Sequence, residues 1–448
     1  MAIGSMFTSL AVPNYRRYFF GCLSSNIGQW MSNTAKSWLV LVELTDSNAA
    51  MLGYLTAVMF LPNMFVTPFG GLLADRFPKR NLALITQSCL CASAATLATL
   101  VISGHVRLWM VFALAFWDGL IGAVDNPTRQ SFVSELVGPD RLPNAIGLNS
   151  ASFNAARLLG PGLSGLVIDW FGTGYSFAVN AASFLVLIAL LASMDKTAFF
   201  IGAKVTRGAG DAAGAGPRVT GSERGVRSLL AGLRYVRQRP HLVLLFSIAL
   251  MMGTFAFNYA ITNPLMATQA FHRGARGYGI LGSVMGIGSL TGALLAAQRR
   301  RPRVRHVYVF LAIFCLTSSA SALAPNFTVF TLLMVPIGFS AISITVTCNS
   351  MIQISIDAPL RGRVMALWNL CIMGLTPIVS PAIGLIGDFG GPRATVWFCT
   401  IPLIITFAVV TWHLYVRRGY RLHYADRHFW VTETPPTHDT HHRPAEEA

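Results

Sequence analysis

Charge is what this chain has least of. Only 12% of its 448 residues are Asp, Glu, Lys or Arg, while 53% are hydrophobic. Soluble domains carry about a quarter charged residues, so water is excluded as the solvent for most of the chain. Acid is the scarcer sign, 18 residues against 34 bases. No stretch alternates apolar and polar residues between short turns, which argues against a membrane β-barrel. No glycine-rich loop ends in Lys followed by Ser or Thr, so ATP-driven work of the P-loop kind is excluded. The seven cysteines show no pairing with His at metal spacing. Cys89 and Cys91 lie two apart and face away from each other on a helix, so all seven read as small apolar packing residues. Five of the ten histidines follow Tyr415, in a tail ending "THDTHHRPAEEA" that reads as polar and disordered. With no cluster of His, Asp or Cys at one membrane face, the expectation is a protein that is not an enzyme and that holds no metal or cofactor.

What is present instead is a series of apolar runs of about 20 residues, each long enough to cross roughly 30 Å of hydrocarbon. Twelve spans are expected, starting near Tyr18, Met51, Leu82, Leu108, Ala145, Gly174, His241, Gly277, His306, Phe327, Met365 and Ala394. Arg16 and Arg17 precede the first span and no small-residue cleavage site follows, so that span is read as uncleaved. With the N-terminus in the cytoplasm, all but six of the 34 Lys and Arg fall on the cytoplasmic side. The exceptions are Arg107, Arg273, Arg276 and Arg393 outside, and Lys36 and Arg157 within the membrane. Such asymmetry follows the positive-inside rule. The net charge of +16 therefore reports membrane orientation, not affinity for nucleic acid, and both termini are expected inside.

The largest interruption, residues 195–240, opens with the Gly- and Ala-rich linker "GAKVTRGAGDAAGAGPRVTGSERG". It closes with "GVRSLLAGLRYVRQRP", whose Leu229, Leu233 and Val236 share a face, as in a helix lying along the membrane surface. The chain thus divides into a six-helix bundle over 1–194, the linker over 195–240, a second six-helix bundle over 241–416 and a tail over 417–448. The halves echo each other. "PGLSGLVIDWFG" in the first is matched by "PAIGLIGDFGG" in the second, with Pro161 and Asp169 recurring as Pro381 and Asp388. Repeated halves are how many transporters build a pathway between two rocking bundles. The expected fold is all-α, twelve transmembrane helices in two pseudo-symmetric six-helix bundles.

Between spans 2 and 3 lies "GGLLADRFPKRN". Gly70 and Ala74 share a helix face and admit a close neighbour. Bases alone would serve as a stop at the inner membrane surface; Asp75 among them needs another reason, such as an ionic latch. Here the chain resembles the major facilitator superfamily, whose signature for this loop is G-x-L-A-D-R-x-G-R-R. Gly71, Leu73, Ala74, Asp75, Arg76 and Arg80 fit it, while Pro78 and Lys79 depart from it. The resemblance implies that the loop acid lies near the start of span 11. It also implies that Lys79 or Arg80 pairs with Asp125 at the inner end of span 4, contacts that hold the outward-facing state. "RRRPRVRH", the matching loop between spans 8 and 9, keeps bases but no acid. Stretches such as "DNPTRQSFVSELV" and "RGRVMALWN" resemble the bacterial enterobactin-exporter-like branch, which also holds multidrug efflux proteins.

Span 5 carries "ARLLGPGLSG", in which Ala156, Gly160 and Ser164 form a small-residue groove and Pro161 is expected to bend the helix. The segment from Arg157 through Gly160, Pro161 and Ser164 to Gly165 resembles the family's antiporter motif G-x-x-x-G-P-x-x-G-G, which implies export. Asp118 and Arg157 are expected near mid-depth, Lys36 in the outer half and Asp125 at the inner edge. Intramembrane charges usually mark pathways or paired networks. Asp118 and Asp125, seven residues apart, are expected to form one acidic stripe. Asp118 and Arg157 are candidates for proton coupling, or for a static salt bridge with each other; Lys36 is expected to snorkel outward, the alternative being that it presents charge to an anionic substrate. Gln29, Trp30, Asn33, Trp117, Phe257, Asn258 and Thr347 are expected around a central cavity, because in the family spans 1, 4, 7 and 10 line it. The function so implied is a monomeric secondary transporter of the bacterial cytoplasmic membrane, exporting small amphiphilic drug-like or siderophore-like compounds by proton antiport with alternating access. A lysophospholipid or other lipid transporter, or a non-transporting receptor of the same fold, stands as the alternative.

Overall fold

A backbone crossing lipid has no water to bond to and must satisfy its own N–H and C=O groups. This chain does so with helices. The computed structural model describes residues 3–200, 232–298, 303–356, 360–373, 375–412, 420–425 and 428–433. In the first half these form α1 (Pro13–Trp38, continued by a π-helical turn over Leu39–Leu44), α2 (Ala49–Arg76), α3 (Lys79–Ile102), α4 (Leu108–Leu136), α5 (Leu142–Phe171) and α6 (Thr173–Ala192). In the second half α7 is built from Pro240–Met251 and Tyr259–Leu265 with π-helical turns over Met252–Ala256 and Met266–Ala270. Then come α8 (Ala275–Ala297), α9 (Val304–Ala322) and α10 (Phe327–Ser355). Arg361–Met373 and the first part of Thr376–Trp412 make α11, and α12 follows the kink at Gly391. Among the described residues, nine helical stretches are long and apolar enough to cross a membrane on composition alone. α11 and α12 count there as one stretch, while α1 and α5 fall short because of their polar and basic residues.

Local chemistry sets the ends of these helices. Asn48 and Asn326 cap α2 and α10 by accepting the N–H of Met51 and Val329. Proline occupies the first turn of α1, α5 and α7, where its missing N–H costs nothing. Gly172 and Gly391 take φ values of 95° and 79° in the tight turns before α6 and α12, a region open chiefly to glycine. They are separated by the same interval as Asp169 and Asp388, so the repeat read from sequence holds in backbone conformation. All seven cysteines lie in helices and are free.

Two pairs of helices make the most extensive contact between the halves: α5 against α8 and α2 against α11. At each crossing the backbones touch. A methyl group at Gly165 would stand 2.7 Å from the Ala275 carbonyl oxygen, and one at Gly384 would stand 2.5 Å from that of Ala49. Lipid offers no hydrophobic drive to bring helices together, so such contact between small residues supplies the adhesion. The molecule has a terminal face, where α1 and α7 begin, and a far face, where they end. The cross-half hydrogen bonds lie at mid-depth and toward the far face. Asp388 accepts the Ala49 and Ala50 N–H groups at 2.6 and 3.0 Å, and the Gln269 side chain donates to the Ser47 carbonyl at 2.9 Å.

Two peripheral expectations need correction. The tail read as disordered contains a hairpin, Tyr420–Ala425 antiparallel to His428–Glu433, whose register sets Leu422 opposite Val431 and Tyr424 opposite Phe429. Alternation in the first run (Tyr420, Leu422, Tyr424) and the aromatic and β-branched residues Phe429, Trp430, Val431 and Thr432 in the second are strand signals that the polar composition of the rest of the tail obscured. In the linker, residues 232–237 are helical, with Val236 buried and Leu233 exposed, so those two do not share one environment. Leu229 and the Gly- and Ala-rich stretch lie outside the described residues.

Candidate functional site

A central cavity opens between the halves, lined by Trp30, Asn33 and Thr34 of α1, Arg157 and Pro161 of α5, Tyr259, Ala260 and Asn263 of α7, and Tyr278, Gly282 and Met285 of α8. Its empty volume, mouth included, is about 480 Å³. Of the residues expected there, Trp30 and Asn33 are in place, and Gln29 donates to the Asn33 side chain at 3.2 Å one turn away. Trp117 is 43% exposed on α4 and Thr347 is buried in α10; neither lines this cavity. Phe257 packs against the main apolar core at the break in α7.

Asn258 has a different task from the one expected. α7 loses its helical hydrogen bonding there, and the Asn258 amide donates to the Thr254 and Phe255 carbonyls at 2.7 and 3.2 Å. Its own carbonyl accepts from Ile261 and Thr262. The side chain thus re-satisfies backbone groups that the break would leave bare, the condition on which a discontinuous helix is tolerated in a membrane. It faces a second cavity, enclosed within the second half among Thr262, Phe314, Ser318 and Met334. Broken helices commonly border substrate sites, and Tyr259, one residue past this break, lines both cavities.

The intramembrane charges pair differently from the sequence expectation. Lys36 does not snorkel: its side chain is 1% exposed and forms an ion pair with Asp118. Asp118 is therefore not bridged to Arg157. Asp125 pairs with neither Lys79 nor Arg80. It accepts from Thr86 at 2.6 Å and Gln87 at 2.9 Å, and lies 3.6 Å from Arg129. Arg129 in turn donates to Asn26 at 2.9 Å. The acidic stripe along α4 is thus neutralised at both positions. Arg129 lies on the same helix as Asp125, since α4 runs on to Leu136 with Pro127 inside it.

Two bases of the loop between α2 and α3 are also committed within the first half. Lys79 pairs with Glu135 at the end of α4. Arg80 donates to the Leu191 and Ala192 carbonyls at 2.8 and 2.9 Å, filling acceptors left free at the C-terminus of α6. Arg76 is exposed and Gly71 has open space about it. Asp75 is placed on α2 by its backbone, but its side chain lies outside the described residues.

α5 presents two working faces. Ala156, Gly160 and Ser164 do not seal the halves; this groove seats α1, with Gly160 against Trp30 and the Ser164 hydroxyl donating to the Met31 carbonyl at 3.0 Å. The neighbouring row of Leu158, Pro161, Gly162 and Gly165 meets α8. There Ser283 donates to the Leu158 carbonyl at 2.7 Å and accepts the Gly162 N–H at 2.9 Å. A hydroxyl from the other half is thus inserted into the backbone ladder of α5 beside Pro161, a recognised cause of helix bending. Nothing in the sequence around Ser283 distinguishes it from other serines of the apolar spans.

Arg157 lies among these elements, its guanidinium carbon 5.6 Å from the centre of the Trp30 ring. Its Nε is buried and makes no hydrogen bond.

Comparison with known proteins agrees with this architecture. The profile of the transmembrane secretion effector family matches residues 4–433. The chain is similar to the multidrug efflux pump Tap of Mycolicibacterium fortuitum, at 25% identity over 86% of this chain and 92% of that protein. It is similar to the staphyloferrin A transporter of Staphylococcus aureus, at 23% over 62% and 66%, and to the enterobactin exporter EntS of Shigella flexneri, at 21% over 81% and 80%. Among solved structures, a bacterial homolog of the human lysosomal transporter Spinster, inward-facing and unoccupied, superposes with a TM-score of 0.67 at 12% identity. That match covers 88% of this chain and 96% of the other. A D-xylose–proton symporter gives 0.64 at 13% identity, covering 89% and 97%.

Proposed function

Since the chain belongs to the transmembrane secretion effector family of the major facilitator superfamily, we propose that it exports small amphiphilic compounds by alternating access, with protons entering in exchange. The observation that carries this reading is the central cavity, to which both halves contribute and above which the cross-half contacts lie toward one face. Positive-inside asymmetry favours a cytoplasmic terminal face in a bacterial inner membrane. On that orientation the Asp388 cap and the α5–α8 crossing close the outside, and cargo enters from the cytoplasm. The relatives named as a multidrug pump, a staphyloferrin A transporter and an enterobactin exporter support drug-like or siderophore-like molecules as the cargo class.

Asp118 is the proposed coupling group. Its Oδ2 pairs with Lys36 while Oδ1 is buried without a hydrogen bond. Protonation would dissolve the ion pair and free α4 to shift against α1, so proton binding and helix packing are linked at one carboxylate. Asp75, on the rim of the terminal face, is proposed to latch that face when the halves rock the other way.

Inverted vesicles test the reading. Saturable uptake of a drug-like cargo, abolished by a protonophore, is the expected result. Asp118→Asn should retain cargo binding and lose dependence on the pH gradient. Flux that ignores the gradient in the wild type removes antiport, and unchanged pH dependence in the variant removes Asp118 as its site.

A further inference from the structure

We infer that the central cavity recognises a carboxylate on its cargo, gripped by the Arg157 guanidinium from one half and the Tyr259 hydroxyl from the other. This rests on the export reading and narrows its substrate class to amphiphilic acids.

Among the described residues lining the cavity, Arg157 carries the one formal charge. A guanidinium has five N–H donors and no acceptor, and in a water-poor setting it is normally paired. Here the acid that sequence spacing offered as its partner, Asp118, is taken by Lys36. Among the described residues no carboxylate lies within ion-pair distance of Arg157, and its buried Nε is without a hydrogen bond. Tyr259, within electrostatic reach of it, likewise keeps a buried hydroxyl with no partner. Two unsatisfied donors beside one cavity, one from each half, suit an acceptor that is not part of the chain. The Trp30 ring lies beside the guanidinium, its centre 5.6 Å from the guanidinium carbon, within cation–π reach. The planar fork of a guanidinium matches a carboxylate's two oxygens. The rest of the lining suits the body of such a cargo: the rings of Trp30, Tyr259 and Tyr278 for apolar surface, the amides of Asn33 and Asn263 for its remaining polar groups. Because one donor belongs to each half, a bound carboxylate bridges them, and the bridge is available only while the halves hold this relative position.

The test uses the purified full-length chain in detergent, with 1-naphthoate and its neutral counterpart 1-naphthamide as probes in titration calorimetry. The acid is expected to bind the wild type at least tenfold more tightly than the amide. Arg157→Gln should cut the acid's affinity at least tenfold and leave the amide's within about twofold; Arg157→Lys should fall between. Tyr259→Phe, a gentler change should the arginine variant fail to fold, is expected to reduce the preference for the acid severalfold. Equal affinity for the two probes, no binding of the acid by the wild type, or a preference that survives Arg157→Gln overturns the assignment. The export reading is judged separately. Gradient-driven uptake of a neutral cargo by vesicles in which naphthoate shows no preference defeats the anion site and leaves export standing. Acid preference without any gradient-dependent flux does the reverse.

Discussion

The Ser283 hydroxyl donates to the carbonyl of Leu158 at 2.7 Å, from α8 of one half into α5 of the other. With the Gly162 N–H arriving at 2.9 Å, one side chain both occupies and repairs a gap in a neighbouring helix. If the halves separate here, both backbone groups lose their partner at mid-membrane. Leaving a buried polar group unsatisfied costs about 1–3 kcal/mol. Ser283→Ala should therefore shift the conformational balance away from the state with the far face closed. Spin-label distances between the far ends of α5 and α8 should lengthen in the variant; an unaltered distribution would show the hydroxyl to be incidental.

Asp388 supplies a second tie between the halves by capping the first turn of α2. Loss of a side-chain cap typically costs about 1 kcal/mol. Asp388→Ala should thus raise the population open at the far face about fivefold, read as faster labelling of a cysteine placed at position 380, where the native serine is fully buried. Labelling at the wild-type rate would count against the cap as a gate.

Gly279 lies where a side chain would strike backbone: a methyl there would come 2.5 Å from the Pro161 carbonyl and 3.0 Å from Gly165. Gly279→Val should hold α5 and α8 apart and stop turnover while the protein still inserts and binds cargo. Full transport by this variant would mean the crossing need not close.

Lys36 and Asp118 form a pair buried enough that removing one partner strands the other. Such losses run to about 3–5 kcal/mol. Lys36→Met alone should lower the midpoint of thermal unfolding markedly, and adding Asp118→Asn should restore much of it. Strictly additive losses in the double variant would show that the two residues do not act as a pair.

Asp75→Asn should slow turnover without affecting insertion, if the carboxylate latches the terminal face. Wild-type turnover in reconstituted vesicles would remove the latch.

The architecture was legible because its signals are local. Apolar length gave the spans, Pro161 and Asp169 with their counterparts gave the repeat, and helix spacing gave the groove of Ala156, Gly160 and Ser164. Which helix fills a groove is another matter, since relative rotation is decided by all the neighbours together. That is why the groove proved to hold α1 while the adjacent row met α8. The same limit explains the exchanged ion pairs: spacing places Asp118, Lys36 and Arg157 at similar depths but cannot rank the distances among them. The break in α7 is hidden by the absence of Gly or Pro at Phe257 and Asn258. Asn258 shows the reason: a side chain able to bond its own backbone makes a break without the usual breaker residues.

The two acids that mark the repeat now have unequal duties. Asp388 caps α2, whereas Asp169 is exposed and α8 begins with no side-chain cap. Duplication would have started with a matched pair of bolts, and this chain has kept one. A hypothetical assembly of two copies of the first half would inherit the idle version twice and have nothing to fasten its rim. Of the two equivalent positions this chain uses one: Asp388 fastens the second half to the first, and Asp169 leaves the reciprocal tie unmade.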